Sequence, residues 1–293
     1  MATGITSLTF NESPYITVAE YKAAPTALQT SNLVVGGNEA AQDAELARVI
    51  LRASSYMDEY LNQNLVATLT TETQRVRMTP QGYISLHPNN SPIISLNSFQ
   101  YGSDPNNLQT LTDPSTAWFE NAQVLIPLSQ LSTTYSSQGP LAFGGASPYT
   151  PIFAKYTYVA GFVNTLTGTV SAAATSLTVT DATGIIPGAQ YKIIDGAKTE
   201  TVTVNTTYTY GSTTVPLVNP LAFAHTGAVF SNMPQVIKQA CILITSAFLK
   251  VRGDSSMMMS VTQRPIGQVV GSDLYGSNIK IALDMIDKYR RVR

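Results

Sequence analysis

The fold is decided by two stretches, Tyr156-Thr157-Tyr158-Val159-Ala160-Gly161-Phe162 and Pro234-Gln235-Val236-Ile237-Lys238-Gln239-Ala240. Around the first stretch, alternate side chains differ in size and polarity, which predicts a β-strand over 153–162. In the second, Pro234 suits the first turn of a helix, and apolar residues then recur at three- and four-residue steps over 234–252. The sequence between the two stretches has little helical periodicity, and its composition differs from that of the sequence on either side.

This intervening segment, 165–231, consists of short Thr-, Val- and Ile-rich runs separated by turn residues and glycines. The runs that predict strands are Ser176–Thr180, Gln190–Ile194, Glu200–Val204, Thr213–Leu217 and Ala228–Phe230. Such a pattern is typical of a small all-β sandwich or barrel of about five or six strands. We therefore expect 165–231 to be an inserted β-rich domain, with 1–164 and 232–293 together forming one core.

Outside the insert, the pattern predicts an α+β core that combines helices with an antiparallel β region. The helices are expected at about 17–24, 39–62, 234–252 and 278–291. Thr17 and Glu20 have the spacing of a capping box, and Pro25 ends the first helix. Strands are expected within 72–162, where Gly102–Pro114 is loop-like and Ser132–Pro151 predicts a long irregular loop.

The composition limits the possible functions. Of the 293 residues, 44% are hydrophobic, which is enough for a sizeable core, and only 12% are charged, about half of the roughly 25% usual in soluble domains. Low charge fits either a subunit whose surface is buried in an assembly or a Thr- and Ser-rich β exterior. The helix at 234–252 is apolar on more than one face, so it packs on several sides, within the chain or against a neighbouring subunit. The net charge of −1 predicts no global attraction to nucleic acid or anionic membranes.

The sequence contains few residues suited to catalysis. Cys241 is the one cysteine and is expected to be buried, while His87 and His225 lie in different segments. This inventory argues against a zinc site, and no nucleophile-elbow, P-loop or calcium-loop motif occurs. A Ser–His–Asp site stays open on composition alone, but we predict no enzyme, no catalytic residue, no metal and no cofactor. Met1–Phe10 lacks the pattern of a secretory signal, and the apolar run at 240–249 is too short to span a membrane.

The basic C-terminal end provides the candidate contact residues Lys288, Arg290, Arg291 and Arg293. Cations at this position complement the dipole at the end of a helix. The alternative is contact with DNA phosphates or with an acidic partner surface. One such end per chain is a weak feature, whereas a ring of them around a channel would create a strong field.

Several segments, taken in order, carry a resemblance. They are Tyr15–Tyr21, Leu46–Tyr60, Arg75 and Arg77 followed by Gly82–Leu86, Pro92–Leu96, and the two stretches quoted first. Their order, a short helix, a long helix, antiparallel strands and C-terminal helices, resembles the head-to-tail connector (adaptor) proteins of tailed bacteriophages. In that family a Y-x-x-G-[FY] strand runs almost directly into a P-x-x-[IL]-x-x-A helix, so 165–231 is a departure from the pattern. The departure itself resembles a β module common in phage structural proteins, through Ala174–Val179, Pro187-Gly188, Glu200–Val204 and Pro220–His225.

The resemblance implies a structural virion protein that is made in the host cytoplasm. It would form a dodecameric ring beneath the portal protein, extend the channel through which packaged DNA passes non-specifically, and present a docking platform for the next neck or tail protein. The insert would point outward and contact the major capsid protein or another neck protein, or brace the ring. Two alternatives remain: another virion component, such as a capsid decoration or tail protein, and a carbohydrate-binding or hydrolytic protein that uses the β module. The lone tryptophan, Trp118, lies outside the module, which argues against a sugar-stacking platform there.

Overall fold

A computed structural model describes residues 13–31, 33–77, 83–111, 113–120, 123–127, 152–250 and 273–291. The helices are α1 Val18–Ala23, α2 Glu39–Leu61, α3 Gln235–Lys250 and α4 Asp273–Ile286. The strands are β1 Thr68–Val76, β2 Tyr83–Leu86, β3 Ile93–Asp104, β4 Asn107–Thr110, β5 Trp118–Glu120, β6 Gln123–Pro127, β7 Ile152–Ala160, β8 Asn164–Leu166, β9 Ser176–Thr178, β10 Gln190–Ile194, β11 Glu200–Thr203, β12 Thr214–Pro216 and β13 Val229–Ser231. Helices together with antiparallel sheets confirm the predicted α+β class. The loop predicted at Ser132–Pro151 lies outside the described residues.

The helices pack around one apolar cluster. Helix α1 begins with the predicted capping box, because Thr17 Oγ1 accepts the N–H of Glu20 and the Glu20 carboxylate accepts the N–H of Thr17. Helix α3 contacts both α2 and α4, and Ile242 and Leu249, which lie off its main apolar stripe, are buried. Its several apolar faces are thus accounted for by packing within the chain, and Cys241 lies in this core as expected.

A β-sandwich adjoins the helices. One sheet has the strand order β1-β7-β3-β4 and the other β2-β6-β5, and the apolar residues between them include Phe99, Tyr156 and Ile126. The loop expected at Gly102–Pro114 is wrong, since β3 continues to Asp104 and forms a hairpin with β4. Strand β4 is short, polar and at the sheet edge, so its residues carry no alternation of apolar and polar side chains that sequence reasoning could detect.

Strands β8 to β13 form the predicted all-β unit, with one sheet of order β11-β10-β13-β8 and a second of order β12-β9. The two sheets are joined at both edges, by the bridge between Thr167 and Val179 and by the bridge between Val204 and Leu217. These bridges close the strands into a barrel, which decides between the sandwich and the barrel expected from sequence. We call strands β8–β13 and their loops the barrel module.

The chain enters and leaves the barrel module at adjacent positions. Asn164 pairs with Ser231. The N–H of Val163 donates to Asn232 Oδ1 at 2.7 Å, and the N–H of Asn232 donates to the carbonyl of Val163 at 3.1 Å. Such neighbouring ends let a module hang from a single junction. The division into a core and an inserted domain at 165–231 stays a prediction.

The last helix differs from the expected 278–291 at both ends. Helix α4 begins earlier, at Asp273, and Gly276 and Ser277 weaken the helical signal there. It ends at Ile286 and continues as a 3₁₀ turn over Asp287–Tyr289. After Ile286 the chain turns, and the N–H of Arg291 then donates a hydrogen bond to the carbonyl of Leu61, the last residue of α2.

Candidate functional site

The basic C-terminal end lies against the junction of α2 and β1. The N–H of Arg291 donates to the carbonyl of Leu61 at 3.0 Å, and Gln63 Nε2 donates to the carbonyl of Tyr289 at 2.5 Å. The Tyr289 ring meets the Phe162 ring edge-on, with centroids 6.1 Å apart. This segment therefore links the helices to the β region, which is a structural role.

Two of the candidate cations, Lys288 and Arg290, are exposed at this end. Lys288 Nζ lies 4.8 Å from the centroid of the Tyr289 ring. The Arg290 guanidinium lies 5.0 Å from the centroid of the Tyr60 ring, and its Nη1 is 4.0 Å from an Asp287 carboxylate oxygen. The exposed cations are thus accompanied by an acidic residue, which reduces the attraction of this surface for a polyanion.

The other two candidate cations are not presented in the same way. Arg291 is half-buried, and its Nη1 is enclosed without a hydrogen-bond partner within the described part of the chain. Burial raises the pKa of Tyr156 and Tyr158, and the positive charge of Arg291 opposes that rise, so the guanidinium lies near those phenols. Arg293 lies outside the described residues. The structure brings Lys288 and Arg290 together on one surface and turns Arg291 inward.

The described residues offer little reactive chemistry. Among them, no group of three or more His, Cys, Asp or Glu side chains is arranged to hold a metal ion. His87 Nε2 lies 3.3 Å from Ser85 Oγ, but the described residues place no carboxylate on this pair. Burial raises the pKa of the Cys241 thiol to about 12, so it is not a nucleophile near neutral pH. No helix in the described ranges is long and apolar enough to cross a membrane.

The buried side chain of His225 holds two segments of the barrel module together, through carboxylate partners that its sequence neighbours do not reveal. The ring of His225 is fully buried, with Nδ1 2.9 Å from Asp195 Oδ2 and Nε2 2.8 Å from Glu200 Oε1. The imidazole therefore connects the two carboxylates, since each of its ring nitrogens lies within hydrogen-bonding distance of one of them. The Glu200 carboxylate also accepts the N–H groups of Ala222 and Phe223, at 2.9 and 3.2 Å. We call Asp195, His225 and Glu200 the barrel clamp.

Replacing His225 with Leu is expected to lower the free energy of unfolding by about 2–3 kcal/mol, because it leaves two partly buried carboxylates without their shared hydrogen-bond partner. Burial alone would raise the pKa of Glu200, but the bonds from Ala222, His225 and Phe223 outweigh it and hold that pKa below its usual value. The stabilisation by Glu200 is therefore complete above its unfolded-state pKa and is lost as the pH falls through its folded-state pKa. Urea unfolding at pH 7 and in acid measures both effects.

The matched control is His87→Leu, at the exposed histidine, for which a change within about 0.5 kcal/mol is expected. Equal stability of the His225→Leu variant and the wild type would show that the barrel clamp does not stabilise the module.

Comparisons with known proteins find a similarity to a solved structure, and no similarity to a protein family or to a curated protein. Neither a scan against protein-family models nor a search of curated proteins finds a match. Among solved structures, the chain is similar to one described as the neck of an empty GTA particle computed with C6 symmetry, at 12% identity and a TM-score of 0.37, over 96% of this chain and 95% of that chain. A TM-score of this size does not establish a shared fold, and an identity of this size does not establish a shared function.

Proposed function

We propose that this chain is a non-enzymatic structural subunit of a tailed-phage particle, of the head-to-tail connector type. In this proposal it forms a ring between the portal and the tail, and the barrel module lies on the outside of that ring. Lining the DNA channel and docking the next neck component follow from the same assignment.

The observation that carries the proposal is the junction between β7 and α3. The connector pattern places the Y-x-x-G-[FY] strand directly before the P-x-x-[IL]-x-x-A helix. Here the hydrogen bonds between Val163 and Asn232 hold the chain on either side of the barrel module together. The order of α1, α2, the antiparallel sheets, α3 and α4 supports the same assignment.

The closed barrel also suits an outward position. A strand edge left open to solvent is a template for pairing with another chain. The bridges at Thr167 and Val204 leave the barrel strands without such an edge. A module of this kind contacts its neighbours through side chains and can be carried on a ring without linking rings to one another.

The test is to mix the purified chain with the portal protein of the same virus and to examine the product by negative-stain electron microscopy and mass photometry. Rings of this chain seated on portal rings are expected. A variant in which a short Gly/Ser linker joins Val163 to Asn232 in place of 164–231 is expected to form the same rings, because these ends are adjacent. A chain that remains a monomer and never binds portal rings contradicts the proposal. Glycan binding or hydrolysis that disappears with the module would favour the carbohydrate alternative.

A further inference from the structure

The outer face of the sheet β1-β7-β3-β4, which points away from the sandwich core, carries positive charge and no negative charge. Odd-numbered residues of β1 and β7 lie on this face, since the even-numbered residues of β7 are buried in the sandwich. With their cross-strand partners in β3 and β4, the residues of this face are Leu69, Thr71, Thr73, Arg75, Ser95, Ser98, Gln100, Gly102, Thr110, Phe153, Lys155, Thr157 and Val159. We call this set the outer sheet face. Its polar groups are hydroxyls, an amide and two cations.

The two cations are close together. Arg75 pairs with Phe153 and Thr73 pairs with Lys155, so Arg75 and Lys155 are diagonal neighbours on adjacent strands, about 7–8 Å apart. Arg77 is exposed directly beyond the end of β1 and extends the row. Within the described residues none of the three forms a salt bridge. Like charges without a counter-ion repel each other, and a bound anion would relieve that repulsion.

The acidic residues of this sheet are held elsewhere. Glu72 points to the opposite face, where the hydroxyls of Tyr158 and Tyr156 donate to its carboxylate at 2.5 and 3.1 Å. Asp104 is the last residue of β3, beyond the residues that pair with β7, and its carboxylate accepts the N–H of Asn106 at 2.9 Å. Both charged residues of the outer sheet face, Arg75 and Lys155, are therefore cations, although the net charge of the chain is −1.

We propose that the outer sheet face binds the phosphate backbone of duplex DNA without reading its sequence. Arg and Lys side chains, with Ser and Thr hydroxyls, are the groups that contact DNA phosphates in proteins. DNA offers them about one negative charge per 1.7 Å of helix axis. Thr71 and Thr157, whose hydroxyl oxygens are 2.8 Å apart, lie beside the cations. Direct readout of bases needs a helix or a ribbon inside a groove, and the outer sheet face presents neither.

The channel setting of this contact rests on the proposed function, whereas the contact itself can be measured on the purified chain. It also assigns DNA binding to a different surface from the C-terminal end. There, Arg290 lies beside Asp287, whereas Arg75 and Lys155 have no acidic neighbour on their face.

The test measures binding of the full chain to a fluorescent duplex by anisotropy, over about 30–200 mM NaCl. Each phosphate contact contributes about 0.9 to the slope of log K against log salt. The double variant R75Q/K155Q is therefore expected to reduce the slope by about 1.8. The matched control K288Q/R290Q removes the same charge from another exposed surface and is expected to leave the slope unchanged. The conservative pair R75K/K155R, which keeps both charges, is expected to keep it as well.

Four outcomes would overturn the inference: no binding of wild type at the lowest salt, no loss of slope in R75Q/K155Q, an equal loss of slope in both glutamine pairs, or a loss in the control pair alone. Circular dichroism of each variant separates a lost contact from a lost fold. If R75Q/K155Q does not fold, the R75K/K155R variant still tests the inference, because it keeps both charges and should match the slope of wild type. The portal-binding test above is independent. Rings without the slope change would contradict this inference only, and the slope change without rings would contradict the proposed function only.

Discussion

Replacing Glu20 with Gln is expected to lower the free energy of unfolding by about 3–5 kcal/mol, because the ammonium of Lys238 would remain buried without a counter-charge. Lys238 Nζ lies 2.6 Å from Glu20 Oε1, and the two side chains are 4% and 13% exposed. The same carboxylate accepts the N–H of Thr17 in the capping box, at 2.9 Å. A Gln side chain can keep the capping bond through its carbonyl oxygen but cannot supply the charge.

The pH dependence of this variant is a second, independent readout. Burial lowers the pKa of Lys238, and the charge and hydrogen bond of Glu20 oppose that effect. Without Glu20 the pKa of Lys238 falls further, so the folded state binds fewer protons than the unfolded state as the pH approaches about 10. Stability rises with pH wherever the unfolded state binds more protons. The deficit of Glu20→Gln relative to wild type is thus expected to shrink between about pH 7 and pH 10.

The double variant E20Q/K238M serves as the control for the ion pair. Replacing a buried ion pair by neutral residues of similar volume is often close to neutral, whereas removing one partner is not. We expect the double variant to recover most of the stability lost in Glu20→Gln, a coupling of the kind that a double-mutant cycle measures. Urea unfolding followed by circular dichroism gives each free energy. The cycle also needs the single variant K238M. A loss in E20Q/K238M equal to the sum of the losses in E20Q and K238M would show that the pair is not coupled.

Features that depend on residues close in sequence could be predicted, and features that depend on strand pairing or distant partners could not. The capping box of α1 joins Thr17 and Glu20, three positions apart, and it was predicted correctly. The partner that completes it, Lys238, is 218 positions further along the chain than Glu20, and no local pattern reveals it. The alternation that predicted β7 is likewise local, because successive side chains of a strand point to opposite faces.

The C-terminal cations and the outer sheet face also differ in whether their residues are close in sequence. Lys288 and Arg290 were selected because they are neighbours in sequence, and the structure shows that Asp287 accompanies them. Arg75 and Lys155 become neighbours only through the register of β1 on β7. That register is set by which side chains are buried in the sandwich, so the outer sheet face could be identified only once the pairing was known.

The variant Gly161→Ala is expected to be at least as damaging as Glu20→Gln, with a loss of about 4 kcal/mol or more or a failure to fold. Gly161 has φ +117°, and a Cβ there would lie 2.6 Å from the carbonyl carbon and oxygen of Val66 and 2.7 Å from the nitrogen of Ala67. This backbone cannot move away, because the N–H of Ala67 donates to the carbonyl of Phe162 and the N–H of Phe162 donates to the carbonyl of Leu65, at 2.8 and 2.6 Å. Both the backbone angle and the close approach exclude a side chain.

The control is a glycine that has a positive φ but open space around it. Gly196 also has a positive φ, +54°, but a Cβ there would meet nothing within 4 Å. Gly196→Ala is therefore expected to cost only about 1 kcal/mol, the conformational part alone. Urea unfolding of both variants gives the difference, which combines the close approach of Gly161 to Val66 with the less accessible backbone angle of Gly161. Equal losses would show that the close approach at Gly161 adds no cost beyond that of an ordinary glycine with a positive φ. A much larger loss at Gly161 would show that this motif exists to let the end of β7 pass against the chain that leads into β1.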